Sequence, residues 1–290
     1  MRFGGYFPGL GPAAHYGFPT WFDGLQFQID WAKRLGWRCL LPTEFRGWDV
    51  ERQRDAVARL ARHDLVVPGL GAYAYNMLHP DPATRAEHVR AICQLVERAE
   101  AIGVDSVETA VGSRHPEVSY AAARGNWDPA AWEDFVRGCR EVCAACAGTD
   151  VRLTLEPVVG TLLDSPAAIR RALDVVARPE TLAINFDLVN FATPELAADL
   201  NPIVDELLEA AGGAIGLLHL KDVRYDPRRR VTFVEEVTPG EGTVDFAHWL
   251  GRVHALGLDV PAFIEHLDEL AQMAAAWSHI GREAARVGAL

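Results

Sequence analysis

Eight short β-rich runs alternate with eight longer helical patterns along this chain, and that rhythm restricts the fold more than any other feature. The strand candidates are 2–7, 37–42, 65–71, 104–109, 151–156, 181–187, 214–221 and 261–265. The helix candidates are 20–35, 50–63, 83–102, 129–147, 165–177, 195–211, 245–256 and 268–287. Strand-then-helix repeats imply parallel strands joined by helical crossovers. Eight such units are what a (β/α)8 barrel needs. A doubly wound open sheet is the competing arrangement, but no G-x-G-x-x-G follows the first strand. The reading is an α/β chain forming a single (β/α)8 TIM-barrel domain over residues 1–290.

Side-chain parity supports it. Successive strand residues point to opposite faces. In "RLTLEP" Leu153 and Leu155 share one face, Thr154 and Glu156 the other. In "LAINFD" Leu182, Ile184 and Phe186 oppose Asn185 and Asp187. In "AFIEH" Ile264 opposes Phe263 and Glu265. One row is apolar and suits a helix layer. The other turns polar near the C-terminal end, where barrel active sites lie.

Composition narrows the function classes. A net charge of −12 argues against nucleic-acid binding, which needs a basic face. No apolar stretch is long enough to span a membrane, and the N-terminus lacks a signal-peptide core, so a cytoplasmic location is expected. Five cysteines do not make a disulfide framework. Cys139, Cys143 and Cys146 in "CREVCAAC" have a spacing that iron–sulfur enzymes use. They also share one helical face with Trp132, Phe135 and Val136, and buried thiols behave as small apolar groups.

The polar strand ends are Glu156, Asp187, His219 and Glu265, separated by 31, 32 and 46 residues, about one βα unit each. A barrel therefore brings them to one rim. Three carboxylates and an imidazole would suit a single divalent metal ion, Mn²⁺ first, with Mg²⁺, Co²⁺ or Zn²⁺ as alternatives. A cation also relieves the repulsion between the carboxylates.

The segments "TLEP", "NFDLVN", "LLHLKD", "PGEGTVDF" and "FIEH" occur in the order seen in the xylose isomerase-like barrel superfamily, which the whole chain resembles. That group holds sugar isomerases, epimerases and dehydratases, including D-tagatose 3-epimerase and inosose dehydratase relatives. The resemblance implies that Glu156, Asp187, His219 and Glu265 bind the metal, and that Glu156 and Glu265 form an acid–base pair. It implies a carbohydrate or keto-sugar substrate and proton transfer next to a metal-bound carbonyl, through an enediolate. Returning the proton makes an isomerase or epimerase. Losing a β leaving group makes a lyase, either a dehydratase of a keto-inositol or keto-sugar or an eliminase of an oxidised glycoside. The similar epimerases carry a substrate-contacting histidine three residues after the aspartate, where this chain has Asn190, expected to hydrogen-bond substrate but unable to shuttle a proton. That departure favours the lyase alternative. Relatives of this kind are often homo-oligomers; a homo-oligomer or a partner subunit both stay open.

Further candidates flank these four. Lys221 shares the parity of His219 and is expected to face substrate, while Asp222 reads as a turn residue or an orienter of Lys221. Glu108 ends the fourth strand on the same rim, and Glu44 has a weaker claim. The long segment 112–127 reads as a binding loop, with His115, Asn126 and Trp127 as substrate-facing candidates. Tyr6, Phe7, His15, Tyr16 and Phe18 would form an apolar wall in the first loop. "PGEG" (239–242) reads as a structural turn, and "DPRRR" (226–230) as a solvated loop.

Overall fold

The computed structural model describes residues 1–8, 11–226, 228 and 233–290. The expected tract 226–230 falls largely outside them. In chain order the elements are β1 (Arg2–Tyr6), α1 (Leu25–Arg34), β2 (Cys39–Leu41), α2 (Val50–Ala61), β3 (Leu70–Gly71), α3 (Pro82–Ile102), β4 (Ser106–Ala110), α4 (Pro129–Cys146), β5 (Arg152–Glu156) and α5 (Pro166–Val176). They continue with β6 (Leu182–Asp187), α6 (Asn201–Ala211), β7 (Ile215–Leu220), β8 (Asp222–Tyr225), β9 (Val234–Val237), α7 (Phe246–Ala255), β10 (Pro261–Ile264) and α8 (Leu270–Arg286). Each of the eight expected strands and eight expected helices is present.

Eight strands form one sheet in the order β2-β1-β10-β7-β6-β5-β4-β3. The registers are parallel in β1–β2, β3–β4, β4–β5 and β5–β6, as in Leu153 opposite Leu182, and where β1 meets β10, as in Phe3 opposite Ala262. The third strand is the least regular. Val66 exchanges backbone bonds with the second strand (Leu40 N to Val66 O 2.9 Å, Val66 N to Arg38 O 3.0 Å), while Leu70 and Gly71 pair with Val107 and Glu108.

The chain divides into two compact units, residues 1–68, 192–205 and 218–290 in one, 69–191 and 206–217 in the other. In the first, Phe7 is fully buried among Tyr16, Trp21, Phe27 and Trp31, with ring centroids 5.3–6.5 Å away. The aromatic N-terminal segment therefore packs largely against itself, where the sequence suggested a pocket wall. In the second, α3 and α5 start on caps that the sequence spells out. Asp81 accepts the Thr84 N–H at 2.8 Å and Ser165 the Ala168 N–H at 3.3 Å, each with proline in the first helical position. Cys139, Cys143 and Cys146 are buried along α4, and burial pushes their thiols well up. They form the apolar face of that helix.

Two features escape the sequence pattern. Asp222–Tyr225 and Val234–Val237 pair as an antiparallel ribbon, Asp222 opposite Val237. The helix expected from 195 starts only at Asn201, where Asp199 Oδ1 accepts the Asn201 N–H at 3.0 Å. Among the described residues no helix is long and apolar enough to cross a membrane.

Candidate functional site

Glu156 closes β5 and is 7% exposed. Its strand keeps the parity read from sequence: Leu153 and Leu155 are fully buried, and on the other row Thr154 Oγ1 meets Ser106 Oγ of β4 at 2.8 Å. Three donors meet the carboxylate. Tyr73 Oη donates to Oε2 at 2.6 Å, Asn185 Nδ2 to the same oxygen at 3.1 Å, and Asn190 Nδ2 to Oε1 at 2.8 Å. Asn190 also donates to the Pro157 carbonyl at 3.2 Å. The asparagine expected at substrate is thus turned onto a carboxylate. Asp187 ends β6, fully buried, and its Oδ1 accepts the Val189 N–H at 3.1 Å.

His219 and Lys221 are 2% and 4% exposed, on the same parity as expected. Both meet Oε1 of Glu265, the residue after β10: His219 Nδ1 at 2.9 Å and Lys221 Nζ at 2.8 Å. Oε2 of Glu265 accepts no bond from any described residue. Burial alone would raise the Glu265 carboxyl, but His219, and then Lys221, hold it well below the usual carboxylate range. Beyond Glu265 the backbone turns left-handed at His266 (φ +59°). This turn sends His266 Nδ1 to both oxygens of Glu236 on β9, at 3.1 Å each. The Glu236 bond raises the imidazole pKa, burial opposes the rise, and Glu265 adds to it.

Asp222 opens β8, where the sequence suggested a turn residue. It is 1% exposed, and its carboxylate accepts the N–H groups of Val223 (2.8 Å), Gly240 (2.9 Å), Gly242 (2.9 Å) and Val244 (3.0 Å). A Cβ on Gly242 would collide with that carboxylate and with the Val223 carbonyl. The "PGEG" turn is therefore wrapped around one buried aspartate.

Glu156, Asp187, His219 and Glu265 each offer one ligand atom, and these four atoms all lie within 4.8 Å of one another. This carboxylate and histidine cluster could hold a metal ion.

The outlying candidates are placed as follows. Glu108 is 5% exposed on β4, its carboxylate packed where a side chain on Gly69 would stand. His115 is taken up by its own loop: its Nδ1 accepts the N–H groups of Glu117 (3.2 Å) and Val118 (3.1 Å). Asn126 is buried and bonds the Gly160 carbonyl at 2.8 Å and the Ala121 carbonyl at 3.2 Å, so it serves the loop. Trp127 is 50% exposed, with its Nε1 fixed by Asp164 at 2.8 Å. Glu44 is an exposed, left-handed turn residue. Sequence reasoning missed Tyr73. It follows a two-residue strand, and no parity or spacing marks it.

The family described as the xylose isomerase-like TIM barrel matches residues 29–284. The chain belongs to that family. No curated protein sequence matches it. Among solved structures, D-psicose 3-epimerase in the presence of D-fructose is similar with a TM-score of 0.71 at 13% identity, covering 99% of this chain and 100% of that one. A xylose isomerase-like TIM barrel protein from Mycobacterium smegmatis in complex with magnesium gives 0.69 at 17%, covering 100% and 97%. The probable 3-DHS dehydratase AsbF, involved in petrobactin synthesis in Bacillus anthracis, gives 0.70 at 16%, covering 96% and 98%. Identities this low speak for the fold alone.

Proposed function

We propose that this chain is a divalent-metal-dependent isomerase or epimerase that shifts a proton next to the carbonyl of a small keto-sugar. The observation that carries the reading is the set of four ligand atoms within 4.8 Å of one another. Donors bound about 2.1 Å from one ion lie at most about 4.2 Å apart, so only a small contraction is needed. Oxygen and imidazole donors suit Mn²⁺, with Mg²⁺, Co²⁺ and Zn²⁺ close behind. Two of the three carboxylates are almost wholly buried, which makes a counter-cation more favourable still. When bound, the ion would polarise a carbonyl and acidify the adjacent C–H.

The chain's own groups then divide the work. Glu265 has Oε2 open to take a proton from substrate, while its Oε1 stays on His219 and Lys221. Lys221 balances the charge of that carboxylate. Glu156 keeps both oxygens on Tyr73, Asn185 and Asn190, which orient it. In the isomerase or epimerase reading Glu156 would enter the step as the carboxylic acid and give its own proton to the carbanion, while Glu265 keeps the proton it took. The unequal surroundings of the two glutamates favour a second reading, a lyase. Elimination needs one base and a leaving group, whereas epimerisation needs a base on one face and an acid on the other.

The test is elemental analysis of wild type and His219→Ala after Mn²⁺ loading, then product analysis on ketoses, inososes and keto-glycosides. One equivalent in wild type and none in the variant is expected. A wild type that holds no divalent metal would sink the proposal. Epimer or isomer products would select the first reading, and elimination products the second.

A further inference from the structure

We infer that Tyr73 is a positioning residue that fixes Glu156 for a divalent ion and ties it to the long loop after β4. The inference rests on the proposed metal site and adds a residue that the four-ligand pattern does not contain. Tyr73 lies two residues beyond β3, and its phenol reaches Glu156 Oε2 at 2.6 Å. That separation is typical of an O–H donor on an ionised carboxylate. Asn185 meets the same oxygen from β6, and Asn190 meets the other from just beyond β6. Three donors from different stretches of chain thus restrain one carboxylate.

The chemistry of the donors matters. None of the three is a cationic group, so they orient Glu156 without a positive charge that would repel an incoming cation.

Tyr73 is itself held from behind. Buried Ser119, in the loop after β4, donates its hydroxyl to the Tyr73 carbonyl at 3.0 Å. The same two loops are stitched again at Asn76. Its Nδ2 donates to the Ser113 carbonyl at 2.7 Å and the His115 carbonyl at 3.2 Å, and its Oδ1 accepts the Ser113 N–H at 2.9 Å. The path from loop to ligand therefore runs Ser119, Tyr73, Glu156.

The test is the Mn²⁺ dissociation constant of the full chain without substrate, from the electron paramagnetic resonance signal of free Mn²⁺. Wild type, Tyr73→Phe and Ser119→Ala are compared, with the melting temperature of each metal-free protein alongside. Groups that orient a metal ligand are typically worth about 10–100-fold in affinity. Tyr73→Phe is expected to weaken Mn²⁺ binding about tenfold, and Ser119→Ala about threefold, with little change in melting temperature. Wild-type affinity in both variants would overturn the inference while leaving the metal site standing, as would a lowered melting temperature with unchanged affinity. Should Tyr73→Phe fail to fold, Ser119→Ala alone decides by the same criterion. A wild type that binds no Mn²⁺ overturns the metal site and the inference together.

Discussion

Lys221 Nζ stands 2.8 Å from the Glu265 oxygen that His219 Nδ1 meets at 2.9 Å. An ammonium therefore sits on a carboxylate proposed as a metal ligand, where its charge competes with the ion. Lys221→Met is expected to tighten Mn²⁺ binding by about tenfold, the relief of roughly 1–2 kcal/mol of like-charge repulsion. It is also expected to lower turnover. Calorimetric titration reads the first effect, and steady-state kinetics on the identified substrate reads the second.

The pair His266 and Glu236 gives a pH signature. Its folded-state imidazole pKa lies above 6.5 because of Glu236. The contribution to stability is then fully present below the unfolded pKa and fades as pH rises through the folded value. The imidazole is 56% exposed, so solvent screening keeps the contribution below about 1 kcal/mol. Wild type is expected to melt higher than His266→Gln at pH 5.5 in chelator, with the gap narrowing by pH 8.5. A gap that widens with pH would contradict the assignment.

Asp222 predicts a large stability effect away from the proposed metal ligands. Asp222→Ala strands four backbone N–H groups around a buried site. The expected loss is about 3 kcal/mol or more in urea unfolding. Gly242→Ala should also destabilise, because its Cβ has no room beside the Asp222 carboxylate.

The one-domain reading of residues 1–290 makes a prediction of its own. Calorimetry should show a single transition, with calorimetric and van't Hoff enthalpies equal. Two resolved transitions would separate the chain into independently folding parts.

Much of the architecture was legible because hydrophobic period and face parity act locally. Every strand and helix candidate holds a real element, and Glu156, Asp187, His219 and Glu265 stand at strand ends as parity required. What escaped depends on tertiary partners. The β8–β9 ribbon draws its order from pairing across the chain, and "VEEV" alone reads as a polar loop. Tyr73 follows a strand of two residues, too short to establish a period. His115 and Trp127 looked like binding residues because loops carry function, yet their ring nitrogens serve loop geometry. Asn190 was marked by its place after Asp187, but no local rule says that its amide turns to Glu156.

Asp222 follows His219 by three positions and grips the main-chain N–H groups of Val223, Gly240, Gly242 and Val244, while leaving room only for glycine at 242. The clasp works like a socket, because it fixes the base of the ribbon beside the histidine whatever sequence the ribbon carries. A designer can therefore vary the exposed side chains of the two ribbon strands without releasing the backbone clasp that seats the ribbon next to His219.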